Sequence, residues 1–211
     1  NIKFSAANQT TSQVADLYTN NFGIKENCNA RQLTICTKQL LKDDISNPDA
    51  VITGANFLIS NSGTIVLTEN EGNILKATAN APIHIVVAGI DKLIASIDEL
   101  SVLLPLSSYY EPQKNISSFY NFINKPLEEN GNVQKLYLVL LNNNRTNILA
   151  KEKQREILSC IQCGACSEVC PIYNIIGGHV YETNHPGPVG SIIYPITKGM
   201  EEAAHFTSLC T

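Results

Sequence analysis

No stretch of this 211-residue chain approaches the roughly 18 uninterrupted apolar residues of a membrane-spanning helix. No charged-then-apolar leader follows Asn1, so the sequence gives no support for secretion either. Blocks of like charge are missing: 15 basic against 19 acidic residues leave a formal charge of -4, which offers no electrostatic footprint for nucleic acid. No glycine run matches the dinucleotide pattern G-x-G-x-x-G or the phosphate-loop pattern G-x-x-x-x-G-K-S/T. No Ser-His-Asp or Cys-His ordering is arguable for nucleophilic catalysis. The chain reads as a soluble cytoplasmic protein with no nucleic-acid partner and no membrane span.

Against these absences stand seven cysteines, four of them within eleven residues. The run Cys160-Ile161-Gln162-Cys163-Gly164-Ala165-Cys166-Ser167-Glu168-Val169-Cys170-Pro171 has the C-x2-C-x2-C-x3-C-P spacing of a ferredoxin-type 4Fe-4S half-site. In that pattern three thiolates wrap one face of a cubane, and the fourth, followed by proline, reaches the other cluster of a two-cluster module. Cys160, Cys163 and Cys166 are therefore expected on one cluster. Cys170 is expected on a second, to which Cys210 also belongs. A zinc knuckle pair, a disulfide cluster and coincidence compete with this reading. Structural zinc brings two separated C-x2-C pairs together, and an odd number of crowded cysteines suits thiolate ligation in a reducing compartment better than a disulfide scaffold. Gly164 either lets the backbone turn close to inorganic sulfide or is a plain turn glycine. His179 and His185 are expected to fix loops or support the ligands, not to bind metal. Cys28 and Cys36 read as ordinary buried or half-buried thiols.

The chain starts at Asn1 and stops one residue past its seventh cysteine, so both ends read as fragment ends. Two 4Fe-4S clusters are expected in the longer protein, and incomplete or absent ones within these residues. The cysteine region leaves little room for an apolar core, so metal is expected to supply much of its local stability.

Periodicity predicts helices over 13–22, stopped by Gly23, and over 30–41, capped by Asn29. Short runs rich in Ile, Val and Leu at 50–53, 57–59, 65–68, 83–88 and 135–141 predict strands of an α/β core, the last of them buried. Ser96 and Glu99 form a capping-box pattern ahead of a helix expected to end at about residue 104, before Pro105. A helical stretch is expected near 116–123. His84, inside an apolar run, reads equally as a satisfied core histidine or a chemical group. The glycine turns at Gly54, Gly63 and Gly72 read as tight turns at strand ends, or as the rim of a ligand crevice. The expected division is 1–148 for the α/β part and 149–211 for the cysteine module.

These segments together resemble the lactate utilisation protein B family, iron-sulfur proteins that carry an LUD domain. The resemblance rests on Asp49-Ala50-Val51-Ile52-Thr53-Gly54-Ala55-Asn56-Phe57, Ser62-Gly63-Thr64-Ile65-Val66-Leu67, Asn70-Glu71-Gly72-Asn73, Pro82-Ile83-His84-Ile85, the cysteine run, Ile176-Gly177-Gly178-His179 and Pro186-Gly187-Pro188-Val189-Gly190. It implies part of an α/β domain similar to sugar-isomerase and CoA-transferase folds, followed by the first part of a mostly helical two-cluster ferredoxin-like module. It also implies an electron relay that works with sister proteins and an electron acceptor to oxidise L-lactate to pyruvate. The alternatives are an assembly subunit with a structural cluster, and an isomerase or transferase acting through the α/β part. Where family members carry an acidic residue before the Gly-Thr-Ile stretch, this chain has Asn61 and Ser62.

Overall fold

The computed structural model describes residues 9–24, 28–109, 119–129, 132–181 and 187–208. Among the described residues two polar helices come first. Helix α1 (Thr11–Phe22) opens on a Thr10/Gln13 capping box and stops at Gly23, whose φ of 65° only glycine adopts without strain. Helix α2 (Ala30–Leu40) opens on a second capping box, Asn29/Gln32. A hydrogen bond of 2.7 Å between the Tyr18 and Thr37 hydroxyls ties the two together. The short α3 (Lys42–Ser46) leads into the sheets.

Among the described residues, strands follow in chain order: β1 (Val51–Thr53), β2 (Phe57–Ile59), β3 (Thr64–Glu69), β4 (Ile83–Gly89), β5 (Leu93–Ile94), β6 (Phe119–Ile123), β7 (Glu128–Glu129), β8 (Asn132–Val133) and β9 (Lys135–Leu141). Strands β1, β4 and β9 form a parallel sheet with β4 central, Ile52 opposite Ile85 and Ile85 opposite Tyr137. A mixed sheet runs β5-β2-β3-β6, and β7-β8 is a small antiparallel ribbon. The central strands β2 and β3 of the mixed sheet are buried on both faces. Leu58 and Ile65 pack against Val86 and Ala88 of β4. On the other face Phe57, Ile59 and Val66 pack against Leu100, with Leu103, Leu104 and Ile161 completing the cluster. Each such fully buried aliphatic side chain contributes about 1.5–3 kcal/mol.

Four elements differ from what the sequence predicts. Residues 119–123 form strand β6, not a helix, because Phe119-Tyr120-Asn121-Phe122-Ile123 are strand-forming types with a free edge of β3 to pair, Leu67 opposite Asn121. Residues 110–118 lie outside the described residues. Helix α5 (Leu100–Tyr109) continues through Pro105; the carbonyl that proline leaves unbonded belongs to exposed Ser101, where water serves it. Helix α4 (Asn73–Asn80) arises where only a turn was legible: the Glu69 carboxylate accepts from the backbone N–H groups of Ile74 and Leu75 at 2.7 and 2.8 Å. Strand β9 forms as expected but is not buried, with Tyr137 52%, Val139 42% and Leu141 47% exposed.

The remaining helices are α6 (Arg145–Leu149), α7 (Ala165–Glu168), α8 (Pro171–Ile176), α9 (Pro188–Lys198) and α10 (Met200–Thr207). The region expected to hold little apolar core has a small one, beyond the cysteine run itself. Tyr181, Ala203 and Phe206 are buried together, with Tyr173, Ile176 and Tyr194 around them. Phe206 stacks on Tyr181 at 5.7 Å and meets the Tyr194 ring edge-on at 5.0 Å. Widely spaced aromatics, not a periodic run, build this core, which is why spacing alone did not reveal it.

Candidate metal centre

After α6 the chain makes a 3-10 turn at Arg155–Ser159 and enters the cysteine loop at Cys160, which is extended at φ -66° and ψ 114°. The loop then reverses twice. Gln162 takes a left-handed φ of 62° and Gly164 one of 86°, on either side of Cys163. A left-handed non-glycine residue costs about 1–2 kcal/mol, so Gln162 marks a turn imposed by its surroundings. Gly164 then starts α7, which carries Cys166, and Cys170 caps α8 with Pro171 at its first position. There the Tyr173 backbone N–H donates to the Cys170 sulfur at 3.5 Å.

Burial pushes the Cys160 thiol up, while a Gln162 backbone hydrogen bond and the Lys92 ammonium pull it down; Cys166 and Cys163 are close enough to push it up further. Cys163 and Cys166 thus each lie within electrostatic range of Cys160. Cys160, Cys163, Cys166 and Cys170 are free and half-buried; Cys28 before α2 and Cys36 within it are half-buried as well. Half-buried free thiols on a doubly reversed loop are a donor set with the chemistry of a 4Fe-4S ligand loop. Among the described residues, no three His, Cys, Asp or Glu side chains converge as ligands of a single metal ion. His179 falls in the 3-10 turn Gly178–Tyr181 with its side chain outside the described residues, and Cys210 and His185 lie outside them altogether.

The loop is docked on the α/β part. Ile161 packs into the Phe57, Ile59, Val66 and Leu100 cluster. A cavity of about 560 Å³ beside it is lined by Asp91, Lys92, Arg145 and Cys160 among others. A second cavity of about 380 Å³ is lined by Asn56, Glu69, Lys92, Gln162 and Cys163. Lys92 thus borders both. Burial pushes its ammonium down, Asp91 and Cys160 draw it back up, and Arg145 lowers it again. Asp91 is 6% exposed and salt-bridged to Arg145, itself 14% exposed. Gly89 makes room for that pair, since a Cβ there would sit 2.1 Å from Asp91 Oδ1. The sequence reading missed Lys92, Asp91 and Arg145. Their one linear signal is a charged Asp91-Lys92 pair directly after a buried parallel strand.

His84 is 1% exposed and shares a 2.8 Å hydrogen bond with the Thr53 hydroxyl through Nε2. It is a core histidine away from the cysteine loop. The turn glycines Gly63 and Gly72 sit at φ 68° and 69°, so their conformation alone explains their presence.

The chain thus joins a mixed α/β body to a helical segment whose leading loop carries four cysteines. The chain belongs to the LUD domain family, which it matches over residues 2–139, and residues 156–211 match the 4Fe-4S dicluster domain. It is 33% identical over 210 residues to Lactate utilization protein B of Shouchella clausii, covering 97% of this chain and 44% of that one. The Geobacillus sp. protein of that name is also 33% identical, again over 44% of its length. The Uncharacterized electron transport protein YkgF of Escherichia coli is 32% identical over 85% of this chain and 38% of its own. The chain thus spans less than half the length of these relatives. A crystal structure of a DUF162 family protein from Deinococcus radiodurans aligns at 17% identity and a TM-score of 0.32, over 46% of this chain and 55% of that one. Among the described residues, no helix is long and apolar enough to cross a membrane.

Proposed function

We propose that this chain is part of an iron-sulfur electron-transfer component of a multi-protein, cytoplasmic system that oxidises L-lactate to pyruvate. The observation that carries the reading is the run of four free, half-buried thiols on a loop folded back at Gln162 and Gly164. The names and partial coverage of the relatives support the lactate context. In this reading residues 1–148 are part of an α/β domain similar to sugar-isomerase and CoA-transferase folds, and 149–211 the first part of the cluster module. Cys160, Cys163 and Cys166 grip one cluster, and Cys170 and Cys210 serve a second. When bound, such a cluster supplies one-electron transfer. The chain's own residues fix the thiols: Ile161 anchors the loop and Pro171 with Tyr173 orients the Cys170 sulfur. No flavin or nicotinamide fingerprint supports a hydride acceptor within this chain, so turnover needs sister proteins and an electron acceptor.

The test is anaerobic purification of the full-length protein, followed by iron, sulfide and zinc analysis and electron paramagnetic resonance. About eight irons per chain are expected, two cubanes' worth. Cys163→Ser is expected to lower that count and to abolish one cluster signal. Zinc without iron would overturn the reading, as would steady lactate turnover by this protein with no partner added.

A further inference from the structure

The cysteine loop meets the α/β body around one side chain. Lys92 lies in the 3-10 turn Ile90–Lys92 that leaves β4, and among the described residues it is the cation that borders both cavities beside the loop. One of these cavities is also walled by Cys160 and the other by Cys163. The other charges around it are already committed or screened. Asp91 and Arg145 neutralise each other in a buried ion pair. Glu69 spends its carboxylate on the α4 N–H groups and on Asn121 Nδ2, which donates at 2.8 Å. Glu99 accepts from the Ala95 and Ser96 backbone at 3.0 and 3.3 Å. Glu71, Arg155 and Glu156 are exposed, where water screens them. Among the described residues lining the two cavities, Lys92, Asp91 and Arg145 act on one another, and the group as a whole leaves one net positive charge beside the loop.

We propose that Lys92 is a positioning residue for electron transfer, whose positive charge raises the reduction potential of the cluster gripped by Cys160, Cys163 and Cys166. The inference rests on the cluster reading above. When one electron arrives from a reduced carrier, the thiolate-ligated unit gains one negative charge, and no bond or proton need change. A neighbouring ammonium in a partly desolvated site stabilises that added charge more than the same ammonium at the same distance would in bulk water. Ile161 supplies the second half of the device by holding the loop against the turn that carries Lys92. The α/β body therefore contributes to the chemistry through its electrostatics, without touching a substrate.

The experiment is a mediated redox titration of the cluster-loaded full-length protein, read by the reduced cluster's electron paramagnetic resonance signal. Iron content is measured alongside. At a fixed ambient potential, Lys92→Gln is expected to lower the reduced-to-oxidised ratio of this cluster about tenfold, a midpoint about 59 mV lower for a one-electron couple. Lys92→Met carries the same expectation, Lys92→Arg should stay near the unmodified protein, and Lys38→Gln on exposed α2 should change nothing. An unmoved midpoint in iron-replete Lys92→Gln or Lys92→Met would overturn the inference, as would a fall in Lys92→Arg equal to that in Lys92→Gln. Absence of any cluster signal in the unmodified protein would instead sink the underlying cluster reading, and this inference with it.

Discussion

His84 and Lys92 illustrate how far single residues can be read. His84 stood open between core packing and chemistry; it is 1% exposed and bonded to Thr53 through Nε2, while its Nδ1 is buried without a partner. Burial pushes its pKa below the ordinary 6.5. The folded state thus disfavours the imidazolium while the unfolded chain takes up the proton at the ordinary value. Stability from this group is complete above pH 6.5 and is lost as pH falls from there toward the lower folded value. His84→Gln, which keeps a polar partner for Thr53 without titrating, is expected to flatten that acid slope in denaturant midpoints. An unchanged slope would rule the histidine out as its source. Thr53→Val should cost about 1–3 kcal/mol, because it leaves a buried ring nitrogen unpaired. Lys92, by contrast, was invisible in sequence, since nothing in linear spacing says that a turn lysine will face a cysteine loop folded much later.

At the scale of elements, legibility tracks whether the signal is local. The Asn29 cap and the Ser96/Glu99 capping box form as the sequence predicts, because each closes within three residues. Strand β6 was misread because its identity depends on the edge of β3, which only the folded sheet supplies. Helix α4 was missed because its cap is not at the usual position. Gly72 occupies that place with no side chain to offer, and Glu69 reaches across from the end of β3 instead. Glu69→Ala should therefore leave two helix N–H groups and the Asn121 amide without their acceptor, at about 1–3 kcal/mol. Chemical denaturation of Glu69→Ala and Glu69→Gln measures it, Gln retaining part of the loss through its carbonyl oxygen. A full-sized loss in neither variant would mean that water replaces the carboxylate.

For the whole molecule, the apolar run of β9 announced a strand but could not announce what covers it. A strand's burial belongs to its neighbours, and among the described residues Ile52, Tyr137, Val139 and Leu141 stay open, although parallel sheets ordinarily carry layers on both faces. The joint between the α/β body and the cysteine module was likewise hidden, because Ile161 reads in sequence as a spacer between two ligands. In the fold it is a core residue of the other part, packed with Phe57, Ile59, Val66 and Leu100. Its half-buried side chain contributes about 1–2 kcal/mol of apolar burial, and that energy holds the ligand loop to the sheet. The tail has its own aromatic core, so weakening the joint should release the module without unfolding it. Ile161→Asp places an unpaired charge in the joint, and the expected result is faster proteolytic cleavage between residues 141 and 160 with the far-ultraviolet circular dichroism preserved. A gentler Ile161→Ala should give an intermediate rate. Equal cleavage in all three proteins would mean that the module is held by other contacts. Global loss of helical signal in Ile161→Asp would mean that the two parts fold as one cooperative unit.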